Sequence, residues 1–272
     1  MRRNGLLCLM LCVLAFFVAL SCLRQEEALP VGSWGLSFQT EGQPPTGNTN
    51  NERLKEYDAA YLGDTSKKVI YLTFDDGPGP YTSWLLDILA EYDVEATFFV
   101  TGAASDYNSL IGRAYREGHS IGVHTYSHNY YDIYSSEQAF FNDFNAVQEL
   151  IYQQTGSYTR LCRFPGGSSN TVSRFNPGIM SRLGPGLESM GYRYFDWNVN
   201  SRDAEGARSA SAVAENIIRG CHGKNCAVVL QHDIKAFSVE AVEQVLIWGL
   251  ENGYSFLPLD VSSPVTHHDI AN

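Results

Sequence analysis

Basic residues are scarce in this 272-residue chain, which carries 19 Lys and Arg against 30 Asp and Glu and has a formal net charge of −11 at pH 7. Such a charge repels the phosphate backbone of nucleic acid, so we expect no nucleic-acid partner. Internal repeats and low-complexity segments are also missing. The 44% hydrophobic content excludes a disordered or fibrous chain and predicts one globular domain, which we expect to be monomeric.

Cysteine is rare in the part of the chain that is expected to fold. Three of the six cysteines lie in or beside an apolar N-terminal run, and the other three are Cys162, Cys221 and Cys226. Among three cysteines at most one disulfide can form, and Cys221 and Cys226 are close enough in sequence to close a small loop. A disulfide and reduced thiols both remain open, because an oxidising compartment permits a disulfide without requiring one.

The N-terminus has the order of an export signal. Arg2 and Arg3 precede an apolar stretch at residues 6–23. Residues 19–22, Ala-Leu-Ser-Cys, resemble the lipobox of bacterial lipoproteins, in which the cysteine is acylated. We therefore expect residues 1–22 to be a lipoprotein signal or, as the alternative, an uncleaved membrane anchor. Either one exports the protein and tethers it to the cell membrane.

The rest of the chain divides into three parts. Residues 23–66 contain Pro, Gly and Asn instead of periodic apolar residues and are predicted to be a spacer and approach segment. Residues 67–262 are predicted to be the folded domain. We expect residues 263–272 to be a solvated tail in which His267 and His268 form no second site.

The hydrophobic pattern of the domain alternates between periods of two and 3.6 residues. Apolar segments of strand length lie at residues 69–74, 96–100, 120–124, 161–164, 192–197, 227–231 and 254–259. Helical spacing occurs between them, and the longest such segment, at residues 136–154, has a capping box of Ser135 and Gln138 and ends at Gly156. This alternation predicts a parallel α/β fold, either a barrel or an open doubly wound sheet.

Polar residues recur at the carboxyl ends of these predicted strands. They are Asp75, Asp76, His124, Arg163, Asp196 and His232. Parallel α/β folds build their active sites at that edge, so we predict one site there.

Two of these positions favour a metal centre. The consecutive carboxylates of Asp75 and Asp76 point in different directions, so one can bind a cation while the other acts as a base, although an Asp-rich turn is the structural alternative. His124 and His128 are four residues apart, which on a helical turn places both on one face. One carboxylate and two imidazoles leave coordination positions open, as in catalytic metal sites.

A serine nucleophile is not expected. Residues 118–122, Gly-His-Ser-Ile-Gly, match the nucleophile elbow of serine hydrolases. An elbow needs a strand before the serine and a helix after it, whereas the predicted order around Ser120 is reversed.

Five motifs resemble, in this order, those of the polysaccharide deacetylases (NodB homology domain, carbohydrate esterase family four). They are Thr-Phe-Asp-Asp-Gly-Pro at 73–78, His-Thr-Tyr-Ser-His at 124–128, Arg-Phe-Pro-Gly-Gly at 163–167, Asp-Trp-Asn-Val-Asn-Ser-Arg-Asp at 196–203 and Leu-Gln-His at 230–232. The resemblance spans about residues 67–259. It implies a single catalytic domain with a distorted (β/α) barrel of about seven parallel strands, and a metal-dependent hydrolase that removes acetyl groups from N-acetylated sugars.

The resemblance also implies a role for each matching residue. The metal ligands are Asp76, His124 and His128. Asp75 matches the general base, Arg163 the residue that holds this base, and His232 the general acid. The expected substrate-binding residues are Trp197 and Leu230, which match the walls of the acetyl pocket, together with Phe164, Pro165 and Tyr126.

The fourth motif departs from many relatives. They have Asp where this chain has Asn200 and Trp where it has Ala204, and their Asp raises the basicity of the acid histidine. An amide can hydrogen-bond an imidazole but cannot stabilise its cation by charge. Either Asp196 or Asp203 takes this role, or the pH optimum is lower; Asp203 is included among the expected catalytic residues.

The expected location of the protein indicates its substrate. An exported, tethered deacetylase meets peptidoglycan first, so its N-acetylglucosamine or N-acetylmuramic acid is the expected substrate. Residues 61–75 resemble spore-cortex muramic acid deacetylases, but those lack the second carboxylate that Asp76 supplies, so the sugar stays open. Chitin oligomers, acetylated xylan or a non-catalytic wall-binding role are the alternatives. We expect zinc, with cobalt, nickel or manganese as alternatives.

Overall fold

The computed structural model describes residues 67–272. The predicted signal or anchor at residues 1–22 and the spacer up to residue 66 lie outside the described residues. Within the described part, no helix is both long enough and apolar enough to cross a membrane.

Parallel strands form one sheet in the described domain. They are β1 (Lys68–Asp75), β2 (Thr97–Val100), β3 (Ser120–Val123), β4 (Leu161–Cys162), β5 (Arg193–Tyr194), β6 (Val199–Asn200), β7 (Cys226–His232) and β8 (Tyr254–Phe256). The strand order is β5-β4-β3-β2-β1-β7-β6, and β8 pairs with the first residues of β1. All seven predicted strands are confirmed. The additional strand, β6, has only two residues, too few to show an alternating pattern.

Helices cover the outside of the sheet. They are α1 (Thr82–Glu91), α2 (Ser109–Arg116), α3 (Tyr130–Ile133), α4 (Glu137–Thr155), α5 (Ile179–Ser189), α6 (Ala210–Cys221) and α7 (Ala236–Glu251), and 3-10 turns lie at Ser105–Tyr107 and Val172–Phe175. Helix α4 ends as predicted at Gly156, which has a φ of 75°. Its N-cap is Ser136, so the predicted capping box at Ser135 is wrong by one residue. Two consecutive serines offer the same hydroxyl, and the sequence does not decide between them.

The strands separate two apolar cores. On β1, Ile70, Leu72 and Phe74 face the helices. The alternate residues face inward, where the inner core consists of Val69, Tyr71, Phe99, Leu161, Phe195, Val228, Leu257 and Leu259. The sheet curves around this inner core as a distorted (β/α) barrel, and its strand order ends at β5 on one side and β6 on the other. Because side chains alternate along a strand, Thr73 and Asp75 continue the inner face towards the carboxyl end of β1.

The C-terminal residues pack against the domain, so the prediction of a solvated tail is wrong. The ring of His267 stacks on Tyr194 with 3.7 Å between centroids and an interplanar angle of 2°. Its Nε2 lies 2.9 Å from the Tyr194 carbonyl oxygen. Further along, the backbone N–H groups of Gly178 and Ser181 donate to Asn272. The tail therefore covers the side of the barrel next to β5.

His268 connects this tail to the strand ends. Its Nε2 donates to the Trp197 carbonyl oxygen at 2.7 Å, and its Nδ1 lies 3.1 Å from Ser169 Oγ. Its backbone N–H donates to Asp196 Oδ2 at 2.8 Å. The tail thus holds the backbone of the segment that carries Trp197.

We expect His268→Ala to lower the free energy of unfolding by about 1–3 kcal/mol, because the carbonyl of Trp197 and the hydroxyl of Ser169 both lose a partner. Urea denaturation of the wild type and the variant measures this difference. Asp269→Ala, which changes the exposed neighbour, is the control and should leave stability within about 0.5 kcal/mol. Equal losses in the two variants would show that the His268 contacts do not hold the tail.

The three cysteines of the domain, Cys162, Cys221 and Cys226, are present as thiols. This decides between the two alternatives left by the sequence. Cys221 lies on the buried face of α6, and burial raises the pKa of its thiol to about 12. Such a thiol carries almost no thiolate at neutral pH and reacts slowly.

Candidate active site

Side chains from five strand ends lie close together at the carboxyl edge of the sheet, and we name the space between them the cleft. The inward-facing residues at these ends are Asp75 on β1, His124 after β3, Arg163 after β4, Trp197 after β5 and His232 on β7. The register of the sheet places Asp75 directly opposite His232. The structure brings the predicted polar residues at the strand ends together, except for Asp196. Its carboxylate is fully buried and accepts hydrogen bonds from Ser168 and from the tail.

Asp76, His124 and His128 form a cluster whose candidate ligand atoms all lie within 4.8 Å of one another. Asp76 Oδ1 is 3.5 Å from His124 Nε2 and 3.3 Å from His128 Nε2. This oxygen is buried and accepts no hydrogen bond from the described residues. Buried carboxylate oxygens rarely lack a partner, so an oxygen that faces two imidazole nitrogens fits a divalent cation.

The imidazole of His124 is neutral and held by a hydrogen bond. Its Nδ1 donates to the Arg163 carbonyl oxygen at 2.9 Å, which leaves the lone pair of Nε2 directed at Asp76. Burial lowers the pKa of His124 to about 3, so the imidazole is uncharged at neutral pH. A neutral imidazole whose other nitrogen is already bonded is the form that binds a metal ion.

The two histidines approach each other through a loop, not through the helical turn that their spacing predicts. Residues 124–129 are irregular, and Thr125 and His128 have left-handed backbones with φ of 74° and 52°. Their ring centroids are 5.2 Å apart. Asp143 on α4 holds the loop by accepting hydrogen bonds from the backbone N–H groups of Tyr126 and Ser127. Left-handed non-glycine residues are uncommon, and such strain concentrates at functional sites.

Asp75 is held by Arg163. Arg163 Nη1 donates to Asp75 Oδ1 at 2.8 Å and to Thr73 Oγ1 at 2.6 Å. The guanidinium is buried and also donates to the carbonyls of Phe195 and Asp196. Burial raises the pKa of Asp75, and the charge of Arg163 opposes that rise. Asp75 Oδ2 lies 3.7 Å from His124 Nε2, so the second carboxylate oxygen borders the Asp76 cluster.

His232 is paired with Asp203 on the other side of the cluster. His232 Nδ1 is 2.7 Å from Asp203 Oδ1, while Asp203 Oδ2 accepts from the backbone N–H of His232 and from Ser238 Oγ. Burial lowers the pKa of His232, but the hydrogen bond and charge of Asp203 outweigh burial, and the pKa is raised overall. His232 Nε2 points into the cleft, 3.9 Å from Asp76 Oδ2.

The structure decides which acidic residue supports His232. Asp203 contacts the imidazole, whereas Asp196 bonds to Ser168 and the tail. Asn200 does not contact His232; its side chain bonds to Glu205 and to the backbone N–H of Arg202. The alternative of a lower pH optimum caused by Asn200 therefore loses its physical basis.

Comparisons with known proteins identify the family of the chain. The family model described as polysaccharide deacetylase matches residues 62–176. The peptidoglycan-N-acetylglucosamine deacetylase of Bacillus cereus is 35% identical over 70% of this chain and 68% of its own length. The peptidoglycan-N-acetylmuramic acid deacetylase PdaA of Bacillus subtilis is 32% identical over 87% of this chain and 88% of its own length. The chain belongs to the polysaccharide deacetylase family.

A solved structure extends the likeness to the fold. The catalytic domain of the peptidoglycan N-acetylglucosamine deacetylase from Eubacterium rectale is 52% identical to this polysaccharide deacetylase chain, with a TM-score of 0.74. The match covers 75% of this chain and 94% of the other. The distorted (β/α) barrel expected from the sequence is thus confirmed.

The expected substrate-binding residues of this polysaccharide deacetylase differ from one another in burial and in the groups that they contact. Leu230 faces inward on β7, and Trp197 lies above the Arg163 guanidinium with 5.7 Å from its ring to the guanidinium carbon. The ring of Tyr126 is 42% exposed beside the cleft. Pro165 is buried, and its carbonyl accepts a hydrogen bond from the Tyr134 hydroxyl.

The structure places Phe164, which was expected to bind substrate, away from the cleft. Its side chain lies in the outer core, with ring centroids 5.5 Å from Phe140 and 5.2 Å from Tyr194. Arg163 faces the cleft, and the next residue along an extended segment faces the opposite side. The position of Phe164 therefore gives its side chain no access to substrate.

Sequence reasoning missed several residues that shape this site. Thr73 shares the Arg163 guanidinium with Asp75, and its position two residues earlier on β1 was an available signal. Asp143, Ser238 and His268 act through hydrogen bonds between distant parts of the chain, for which the sequence has no local signal.

Ser120 is not placed as a nucleophile. It begins strand β3, and its hydroxyl donates to the Leu259 carbonyl oxygen at 2.7 Å. The residue is buried at the end of the barrel opposite the cleft residues. The predicted reversal of the elbow context is confirmed.

Proposed function

We propose that this chain is a metal-dependent N-deacetylase of peptidoglycan, which hydrolyses the N-acetyl group of N-acetylglucosamine or N-acetylmuramic acid and releases acetate. The observation that carries this proposal is the Asp76 cluster, which lies between the Arg163-held carboxylate of Asp75 and the Asp203-paired imidazole of His232. The relatives named above, which are peptidoglycan deacetylases by name, support the substrate.

Asp76, His124 and His128 would hold the metal. One carboxylate and two imidazoles suit zinc, which we propose as the resident ion, and also accommodate cobalt, nickel or manganese. A divalent cation bound there polarises the acetyl carbonyl and makes water more acidic. The chain contributes the fixed ligand geometry, because Arg163 and Asp143 hold the segments that carry both histidines.

Asp75 would act as the general base. Arg163 binds Oδ1 and fixes the carboxylate, which leaves Oδ2 on the side of the cluster to accept a proton from the attacking water. Water oxygen forms the new bond to the acetyl carbon. The buried guanidinium keeps Asp75 in one orientation, since it is anchored at the same time by two backbone carbonyls.

His232 would act as the general acid. Its Nδ1 is bound to Asp203, so a proton on Nε2 is available to the nitrogen of the departing amine. The carbon–nitrogen bond breaks, the amine nitrogen takes this proton, and acetate and a free amino sugar result. Trp197 and Leu230 would form the walls around the acetyl methyl group, while Tyr126 and the backbone at Pro165 would border the sugar.

We further propose that the enzyme works outside the cytoplasm as a tethered monomer. In this arrangement residues 1–22 are the lipoprotein signal or anchor, residues 23–66 are the spacer, and residues 67–272 are the catalytic domain, because the C-terminal residues pack against the barrel. The charge-then-apolar order of the N-terminus and the substrate in the names of the relatives support this location.

Acetate release from purified peptidoglycan tests the proposal, using the chain without residues 1–22 as prepared, after chelation and after metal is restored. We expect chelation to abolish release and zinc to restore it, and mass analysis of muramidase digests then identifies the sugar. Metal-dependent release only from chitin oligomers or acetylated xylan would replace the substrate. Bound metal without any release would favour a wall-binding protein, and inhibition by a serine-directed reagent but not by a chelator would favour a serine esterase.

A further inference from the structure

Three exposed apolar side chains lie together at the rim of the cleft. Tyr131 is 75% exposed, and Phe175 and Val172 are each 46% exposed. The rings of Tyr131 and Phe175 have centroids 5.3 Å apart at an angle of 31°, and Val172 begins the 3-10 turn that ends at Phe175. We name these three side chains the rim platform. Exposed apolar groups that cluster in this way are typical of binding surfaces.

The rim platform is continuous with the metal cluster. Tyr131 lies on α3, and the preceding residue, Tyr130, packs its ring against His128 with 5.2 Å between centroids. Phe175 belongs to the segment that follows β4, and in the same segment a Cβ added to Gly166 would lie 3.5 Å from the ring of Tyr130. The rim platform thus extends the cleft on the β4 side of the two histidines.

Tyr126 occupies the opposite side. Its ring covers Gly102, the second residue after β2, so closely that a Cβ at Gly102 would overlap it. In the sheet, β2 and β4 lie on either side of β3, which carries His124. The segments that follow β2 and β4 therefore lie on either side of the candidate metal ligands that follow β3.

We propose that the rim platform is a sugar-binding subsite that acts together with Tyr126 to hold a glycan strand across the strand ends, so that internal sugars of a chain are deacetylated. This inference rests on the proposed function. The apolar face of a pyranose ring buries area against an aromatic ring, and the exposed Asp132 beside Tyr131 offers a carboxylate to sugar hydroxyl groups.

The size and charge of the rim platform favour this occupant over others. Two rings and one valine expose far less than the roughly 800 Å² per partner that stable protein interfaces bury. Asp132 and the net charge of −11 disfavour a polymer with a phosphate backbone. An uncharged stretch of glycan meets both constraints.

Steady-state kinetics on substrates of two lengths test the inference. We expect Tyr131→Ala and Phe175→Ala, in the full chain, each to raise KM for long soluble glycan strands about tenfold, with little change for a disaccharide of the same sugars. Tyr131→Phe and Phe175→Tyr should retain wild-type KM, because each keeps an aromatic face. Leu250→Ala, which removes a side chain that is 48% exposed on α7, is the matched control and should change neither substrate.

Other patterns would overturn the inference. An equal rise in KM for both substrates would mean that α3 only positions His128. An unchanged KM for both would mean that no sugar binds to the rim platform. A shift in the oligomeric state of the Ala variants would assign the surface to a protein contact. Sedimentation with insoluble peptidoglycan in an Asp75→Asn background separates this inference from the proposed function. Binding that depends on Tyr131 without any acetate release by the wild type would support the subsite and reject the deacetylase.

Discussion

Asp76→Asn is expected to lower kcat/KM for acetate release by about three orders of magnitude and to remove most of the bound metal. The substitution keeps the size of the side chain but replaces the carboxylate oxygen that lies 3.5 Å and 3.3 Å from the two imidazole nitrogens with a neutral amide. Loss of a cation removes several kcal/mol of transition-state stabilisation, and 1.36 kcal/mol corresponds to a factor of ten. Metal content by elemental analysis and acetate release are measured on the same samples.

Asp75→Asn is the matched control, because it changes the adjacent carboxylate in the same way. We expect this variant to lose activity to a similar extent and yet to retain its metal, since Asp75 is bound to Arg163 and its remaining oxygen lies farther from His124 than that of Asp76 does. If both variants kept metal, or if both lost it, Asp76 and Asp75 would not have separate roles as ligand and base.

Most of the barrel follows from local patterns. The alternation along β1 assigns Val69, Tyr71, Thr73 and Asp75 to one face, and the register of β7 brings His232 opposite Asp75. Because parallel strands end at the same edge, residues separated by more than 100 positions were expected together from the positions of the strand ends alone. The convergence of the cleft residues confirms this reasoning.

Local patterns were insufficient where the backbone departs from regular geometry. The spacing of His124 and His128 predicts a helical turn, but left-handed residues and the distant carboxylate of Asp143 form a loop that places the rings equally close. Phe164 was expected to bind substrate, but it follows Arg163 in an extended segment, and neighbouring side chains there face opposite sides. The alternation of side chains along an extended segment thus places Arg163 inside the barrel and Phe164 in the outer core.

Polar residues at the end of the chain were also misjudged. His267 and His268 were expected in a solvated tail, but the ring of His267 stacks on Tyr194 and the ring of His268 donates to the backbone of Trp197. Hydrogen bonds to backbone groups leave no compositional signal, because every residue supplies the same acceptor. The sequence did not decide between Asp196 and Asp203 as the partner of His232 for another reason, since that contact joins two side chains that are 29 residues apart.

Asp203→Asn is expected to lower kcat by about 10²- to 10³-fold and to move the alkaline limb of the pH profile to lower pH. His232 must be protonated to donate to the departing amine. Burial lowers its pKa, and Asp203 outweighs burial through a hydrogen bond and a negative charge. An amide keeps a hydrogen bond but not the charge, so burial then prevails, the pKa of His232 falls, and the protonated form disappears at a lower pH. A kcat profile across the neutral and alkaline range measures the shift.

Asn200→Asp is the control that tests whether a carboxylate at position 200 can raise the pKa of His232 as the carboxylate of Asp203 does. It adds a carboxylate near the same strand end, but the side chain at 200 contacts Glu205 and the backbone of Arg202 and does not reach His232. We therefore expect the alkaline limb to stay where the wild type has it, and we expect no rescue in the double variant Asp203→Asn with Asn200→Asp. A profile that Asp203→Asn leaves in place and Asn200→Asp moves upward would assign the support of His232 to position 200. Asp203 would then serve only to hold Ser238 and the backbone of His232, which an asparagine oxygen can do as well.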